Sequence, residues 1–157
     1  MHSAIAALGV LVASVAILSI QTSDPEPSPD LSPAEVVRIQ IEALGSNDDP
    51  TPDAGIEVAF RFASPGNRAA TGPLPRFAEM VKGPVYRDML DFERAIYGES
   101  VVEDDLAAQR VTLVHRDGRR SAYVFLLSRQ RGGTYAECWM TDGVARHPPP
   151  DDGTTRV

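Results

Sequence analysis

Asp142, Tyr86, Trp139 and the neighbours Asn67 and Arg68 are the side chains best suited by type to hold or transform a small molecule. A carboxylate beside a tyrosine hydroxyl in a closed pocket can take a proton while the phenol steadies the charge that develops. Asp91 and Asp142 supply the carboxylates for such a pair, and Tyr86, Tyr97, Tyr123 and Tyr135 supply the phenols. The competing reading is structural. Asp142 precedes Gly143 as a turn residue would, and tyrosines commonly fill sheet faces. The structural reading carries more weight, so no catalytic residue is assigned. Asn67, Arg68, Tyr86, Trp139 and Asp142 remain as candidates for contact with a ligand.

Each candidate has a plain alternative. Arg68 offers a planar fork of donors to an anion or carboxylate, or it pairs with an acidic neighbour and holds a short helix, which is favoured. Trp139 can stack a ligand, but a lone tryptophan on a strand is more often core. His115, beside a turn at a strand end, reads as solvated. Cys138, the single cysteine, excludes an intrachain disulfide framework and reads as a buried, inert thiol. The acidic group Asp48, Asp49, Asp53 and Glu57 lacks the spacing and final glutamate of a calcium-binding helix-loop-helix. The histidines at positions 2, 115 and 147 are too scattered for a zinc site. No metal and no cofactor is expected.

These residues need elements to position them. Leu106–Arg116 and Ser121–Arg129 flank Asp117-Gly118, a tight hairpin signal, and Thr134–Thr141 reads as the next strand. Phe92–Tyr97, with Glu99–Val102 beyond the interruption at Gly98, reads as a strand before them. Upstream, Ser32-Pro33-Ala34-Glu35 has the form of a helix start, and Val37, Ile41 and Leu44 recur at helical spacing before Gly45. Ile56, Ala59, Phe60 and Ala63 mark a second helix, closed by Ser64-Pro65, which opens a short third one carrying Asn67 and Arg68. Leu74, Phe77, Met80 and Val81 mark a further helix ending at Gly83-Pro84. Helices first and an antiparallel sheet afterwards is an α+β order.

At 157 residues the chain has room for one domain with appendages. A net charge of −7 leaves no means of neutralising phosphates in bulk, so nucleic acid is not expected as a partner. Residues 4–20 are apolar and uncharged, at the lower edge of the roughly 17–25 residues that cross a bilayer. The basic flank and small-residue cleavage site of a signal peptide are not clear, so an uncleaved anchor is favoured over cleavage. The expected organisation is an anchor or signal peptide over 1–20, a proline- and aspartate-rich linker over 21–31, a domain over 32–144 and a disordered tail over 145–157. The domain is expected to face outward, tethered to the membrane or secreted.

The run Gln40, Ala43-Leu44, Asn47-Asp48, Ala59-Phe60, Ala63-Ser64-Pro65, Arg68, Phe77 and Met80-Val81 resembles a family of uncharacterised bacterial and archaeal domains. That family belongs to the nuclear transport factor 2-like superfamily, also called cystatin-like or SnoaL-like. The resemblance implies N-terminal helices packed in a strongly curved, cone-like antiparallel sheet. Superfamily members include ketosteroid isomerases, dehydratases, polyketide cyclases and non-catalytic binding or dimerisation modules, so fold alone leaves function open. The expectation is a non-catalytic module for a small ligand or protein, with a homodimer through the outer sheet face as a further possibility. The alternative is a small lyase or isomerase working inside the cone.

Overall fold

The computed structural model describes residues 24–149. The first helix, α1 (Pro33–Gly45), starts with Ser32 and Glu35 capping each other: Ser32 N–H donates to Glu35 Oε2 at 2.8 Å and Glu35 N–H to Ser32 Oγ at 3.3 Å. This satisfies donors that the first turn leaves without helical partners. Its inner face is Val36, Val37, Gln40, Ile41 and Leu44, all buried. The helix α2 (Ala54–Arg61) crosses it so closely that a Cβ on Gly55 would lie 2.1 Å from the Ala43 carbonyl oxygen. Two more short helices follow, α3 (Pro65–Thr71) and α4 (Leu74–Lys82), and a single 3-10 turn at Arg87–Met89 leads into the sheet.

The strands β1 (Arg94–Glu103), β2 (Leu106–Val114), β3 (Arg120–Arg129) and β4 (Trp139–His147) form one antiparallel meander in chain order. Tyr123, Phe125 and Leu127 of β3 join Val111 and Leu113 of β2 on the inner face, where the helical layer covers them. The other face shows Ile96, Val101, Leu106 and Leu126 to solvent. The ladder shifts register twice, between Tyr97 and Ser100 on β1 and between Thr141 and Gly143 opposite Leu126-Leu127. In the second shift Asp142 is the extra residue, the signature of a bulge that re-aims its side chain.

Three expectations are corrected. The sheet is neither closed nor strongly curled. Four strands joined by successive hairpins leave β1 and β4 as edges, and closure would need more strands at a consistent tilt. The helices therefore lie as a layer on one face. The last strand is Trp139–His147, not Thr134–Thr141, because Gly132-Gly133 opens a 3-10 turn through Tyr135 and Glu137 takes a left-handed conformation at φ 65°. Residues 145–147, assigned to the tail, instead pair with Val124, Tyr123 and Ala122. A ladder satisfies backbone groups whatever the polarity of the side chains. Among the described residues no helix is long and apolar enough to cross a membrane. The apolar run 4–20 and the end of the tail lie outside those residues.

Candidate functional site

The break at Ser64-Pro65 sets the site's geometry. Phe62, Ala63 and Ser64 run alongside β4: Thr141 N–H donates to the Phe62 carbonyl and Ser64 N–H to the Thr141 carbonyl, each at 2.9 Å. Ser64 then caps α3, its Oγ accepting from Asn67 N–H at 3.2 Å. Asn67 is thereby turned toward β4, and its Nδ2 donates to the Thr141 carbonyl at 3.0 Å.

Between this junction, α1, α4 and the sheet lies a cavity of about 240 Å³. Leu44, Phe77, Met80, Val81, Met89 and Phe125 give it an apolar wall. Its polar wall is Gln40, Asn67, Thr71, Tyr86, Thr141 and Asp142. Drug-sized ligands occupy roughly 300–1,000 Å³, so this space suits something smaller. Gln40 is only 3% exposed. Its Nε2 donates to the Thr141 hydroxyl at 2.8 Å and to the Val36 carbonyl at 3.2 Å, which spends both hydrogens. Its Oε1 accepts no hydrogen bond from the described residues. Tyr86 donates its hydroxyl to the Val144 carbonyl at 3.0 Å. Asp142 stands exposed at the rim, and its carboxylate has no hydrogen bond or ion pair with the described residues.

Three of the five candidates, Asn67, Tyr86 and Asp142, thus meet at one cavity. Arg68 is turned away. Its guanidinium lies against the rings of Phe60 and Tyr135, and it donates to the carbonyls of Phe60 and Arg61 at the end of α2 and of Ala63 just beyond it. It does hold local structure, though by carbonyls rather than by the acidic partner expected. Trp139 is core, with Arg129 5.8 Å above its ring. The site residues that sequence reasoning missed are Gln40 and Thr141. The available signal was Gln40 itself, a polar side chain within the apolar stripe of α1.

His115 is corrected as well. It is buried, with Nδ1 on the Asp91 carbonyl and Nε2 3.1 Å from Ser121 Oγ. Ser121 in turn donates to Asp88 at 2.7 Å, which also meets Arg146 at 2.7 Å. This network ties the 3-10 turn to the sheet from outside the cavity wall. Burial pushes the Cys138 thiol above its ordinary pKa, which disfavours the reactive thiolate. The acidic loop folds around Asn47: Asp48 and Asp53 accept from its Nδ2, and Lys82 meets Asp53 at 2.6 Å. The Lys82 hydrogen bond foremost, then that from Asn47, holds the Asp53 carboxyl below the usual range. Among the described residues no cluster of three or more histidine, cysteine or carboxylate side chains could hold a metal ion.

No curated protein and no solved structure matches this chain. A family model does match residues 30–152, which takes in the helices, the sheet and every residue of the cavity. The chain belongs to the family described as a domain of unknown function, DUF4864.

Proposed function

We propose that the domain is a non-catalytic module that binds one small, largely apolar molecule in the cavity between the helical layer and β4, held outside the membrane by the apolar run 4–20. The observation that carries this is Gln40. A buried amide beside an apolar cavity, with its donors spent and its acceptor open, leaves a polar atom for a ligand to satisfy. Kinship with the nuclear transport factor 2-like superfamily belongs to the same proposal. Its support is the helices-first order and a cavity between helices and an antiparallel sheet.

The alternative, a small lyase or isomerase, draws on Asp142 and Tyr86 sharing the cavity. The Tyr86 hydroxyl is already given to the Val144 carbonyl, which weighs against its use as an oxyanion donor. Binding of phenethyl alcohol to the full chain, followed by protein NMR, tests the main reading. Shifts centred on Ala70, Phe77 and Val144, and lost in Ala70→Trp, are expected. Ala70 is an exposed α3 residue on the cavity wall, so a large ring there occupies the space without repacking the core. Absence of shifts with this alcohol and with phenethylamine alike, or equal shifts in the variant, would overturn the proposal.

A further inference from the structure

We infer that the cavity's ligand is a small organic amine, with an apolar or aromatic body and a protonated nitrogen directed at Gln40, Asn67 and Asp142. This rests on the binding reading above and adds the chemical class. The hydrogen-bond inventory of the wall decides the class. The donors are largely committed: both Gln40 hydrogens to Thr141 and Val36, the Tyr86 hydroxyl to Val144, and the Thr71 hydroxyl to the Asn67 carbonyl at 2.9 Å. One Asn67 hydrogen and the Thr141 hydroxyl hydrogen remain. Against them stand more open acceptors: Gln40 Oε1, Asn67 Oδ1 and both carboxylate oxygens of Asp142.

Charge points the same way. Among the described residues Asp142 supplies the one carboxyl group on the wall, and no lysine, arginine or histidine lines the cavity. Two arginines near the cavity are occupied, Arg68 with the carbonyls at and just beyond the end of α2 and Arg146 with Asp88. A carboxylate ligand would meet acceptors and a like charge. An ammonium group brings three donors and the opposite charge. The bulge at Asp142 lifts this residue out of the ladder register beside the cavity. The net charge of −7 favours approach of a cation. Phe77, Phe125 and Tyr86, with the sulfurs of Met80 and Met89, suit an aromatic or branched apolar body.

The test compares three probes of similar shape, phenethylamine, phenethyl alcohol and hydrocinnamate, on the full chain at neutral pH by protein NMR titration. The amine should bind roughly tenfold or more tighter than the alcohol, on the scale of one charge-assisted hydrogen bond, and hydrocinnamate should bind weakest. Asp142→Asn should narrow the gap between amine and alcohol, and Ala70→Trp should abolish binding of both. If the alcohol or hydrocinnamate binds at the cavity as tightly as the amine, the amine inference falls while the binding module stands. If the preference for amine survives Asp142→Asn unchanged, the assignment of the nitrogen to Asp142 falls. If no probe binds, or Ala70→Trp binds all of them unaltered, both proposals fall.

Discussion

Gln40 of α1 donates to the hydroxyl of Thr141 in β4 at 2.8 Å, joining the first helix of the domain to its last strand. The same Thr141 is bonded through its backbone to Phe62 and Ser64, so one residue gathers α1, the segment after α2 and the sheet edge. Gln40→Leu should cost about 1–2 kcal/mol in urea unfolding, because it leaves a buried hydroxyl without its donor. Adding Thr141→Val should cost less than the two single losses combined. Simple additivity of the two in a double-mutant cycle would count against a direct coupling.

Arg68 serves the end of α2 as a capping side chain would. The Phe60, Arg61 and Ala63 carbonyls have its guanidinium as donor, and the 3.4 Å contact to Tyr135 adds a weaker link. Arg68→Met should lower stability by about 2 kcal/mol or more, since several carbonyls lose a charged donor. Arg68→Lys should restore only part of it, because an ammonium cannot span the fork. Thermal unfolding of the three forms checks this, and full rescue by lysine would contradict the geometry.

Gly55 marks the closest approach of two helices. A methyl group there would meet the Ala43 carbonyl oxygen at 2.1 Å and the Cα of Asn47 at 2.9 Å, all backbone atoms that no rotamer change can move. The Gly55 N–H also donates to the Asn47 carbonyl at 2.9 Å. Gly55→Ala should therefore destabilise by about 3 kcal/mol or more, at or beyond the upper end of ordinary overpacking. A change under 1 kcal/mol, by about the same scale, would show that α1 and α2 can separate at little cost.

Asp88 controls part of the acid limb. Burial would raise its carboxyl pKa, yet the Ser121 hydroxyl, Arg146, His115 and Arg119 together hold it below the ordinary 3.8. A lowered folded-state value means that the stabilisation is complete above the unfolded pKa. It is lost as pH falls through the folded one. Asp88→Asn should thus flatten the decline in stability between about pH 5 and about pH 2. Urea midpoints across that range, compared with the parent chain, give the measurement.

Tyr123 controls part of the alkaline limb. Burial pushes its phenol from 10.0 up to about 12, and its hydroxyl donates to the Val85 carbonyl at 2.9 Å. The unfolded chain ionises first, so the stabilisation is intact below pH 10 and is lost as pH climbs toward 12. Tyr123→Phe should cost about 1 kcal/mol at neutral pH, and the difference should shrink above about pH 10. A difference that stays constant through the alkaline range would contradict the shift.

Local signals were legible where they concern neighbours in sequence. Ser32-Pro33 and Glu35 specified the start of α1, Ser64-Pro65 the start of α3, and Asp117-Gly118 the β2–β3 turn, because caps and turns are satisfied within a few residues. Apolar periodicity was enough for an α+β order. Asn67, Tyr86 and Asp142 stood out in the sequence only by residue type, and it is the folded chain that brings them to one cavity. The register of β4 was not legible, since Ala145, Arg146 and His147 join the sheet through backbone pairing that leaves no mark on side-chain type.

The sequence by itself determined the starts of α1 and α3, the hairpin turn and the apolar stripe of α1, all set by interactions within one or two turns of chain. The tertiary structure alone decided that the sheet stays open, that His115 is buried under the Asp91 segment and that Gln40 meets Thr141. Those outcomes depend on groups far apart in the chain reaching hydrogen-bond distance. No local pattern encodes such distances, because they follow from how the helical layer settles on the sheet.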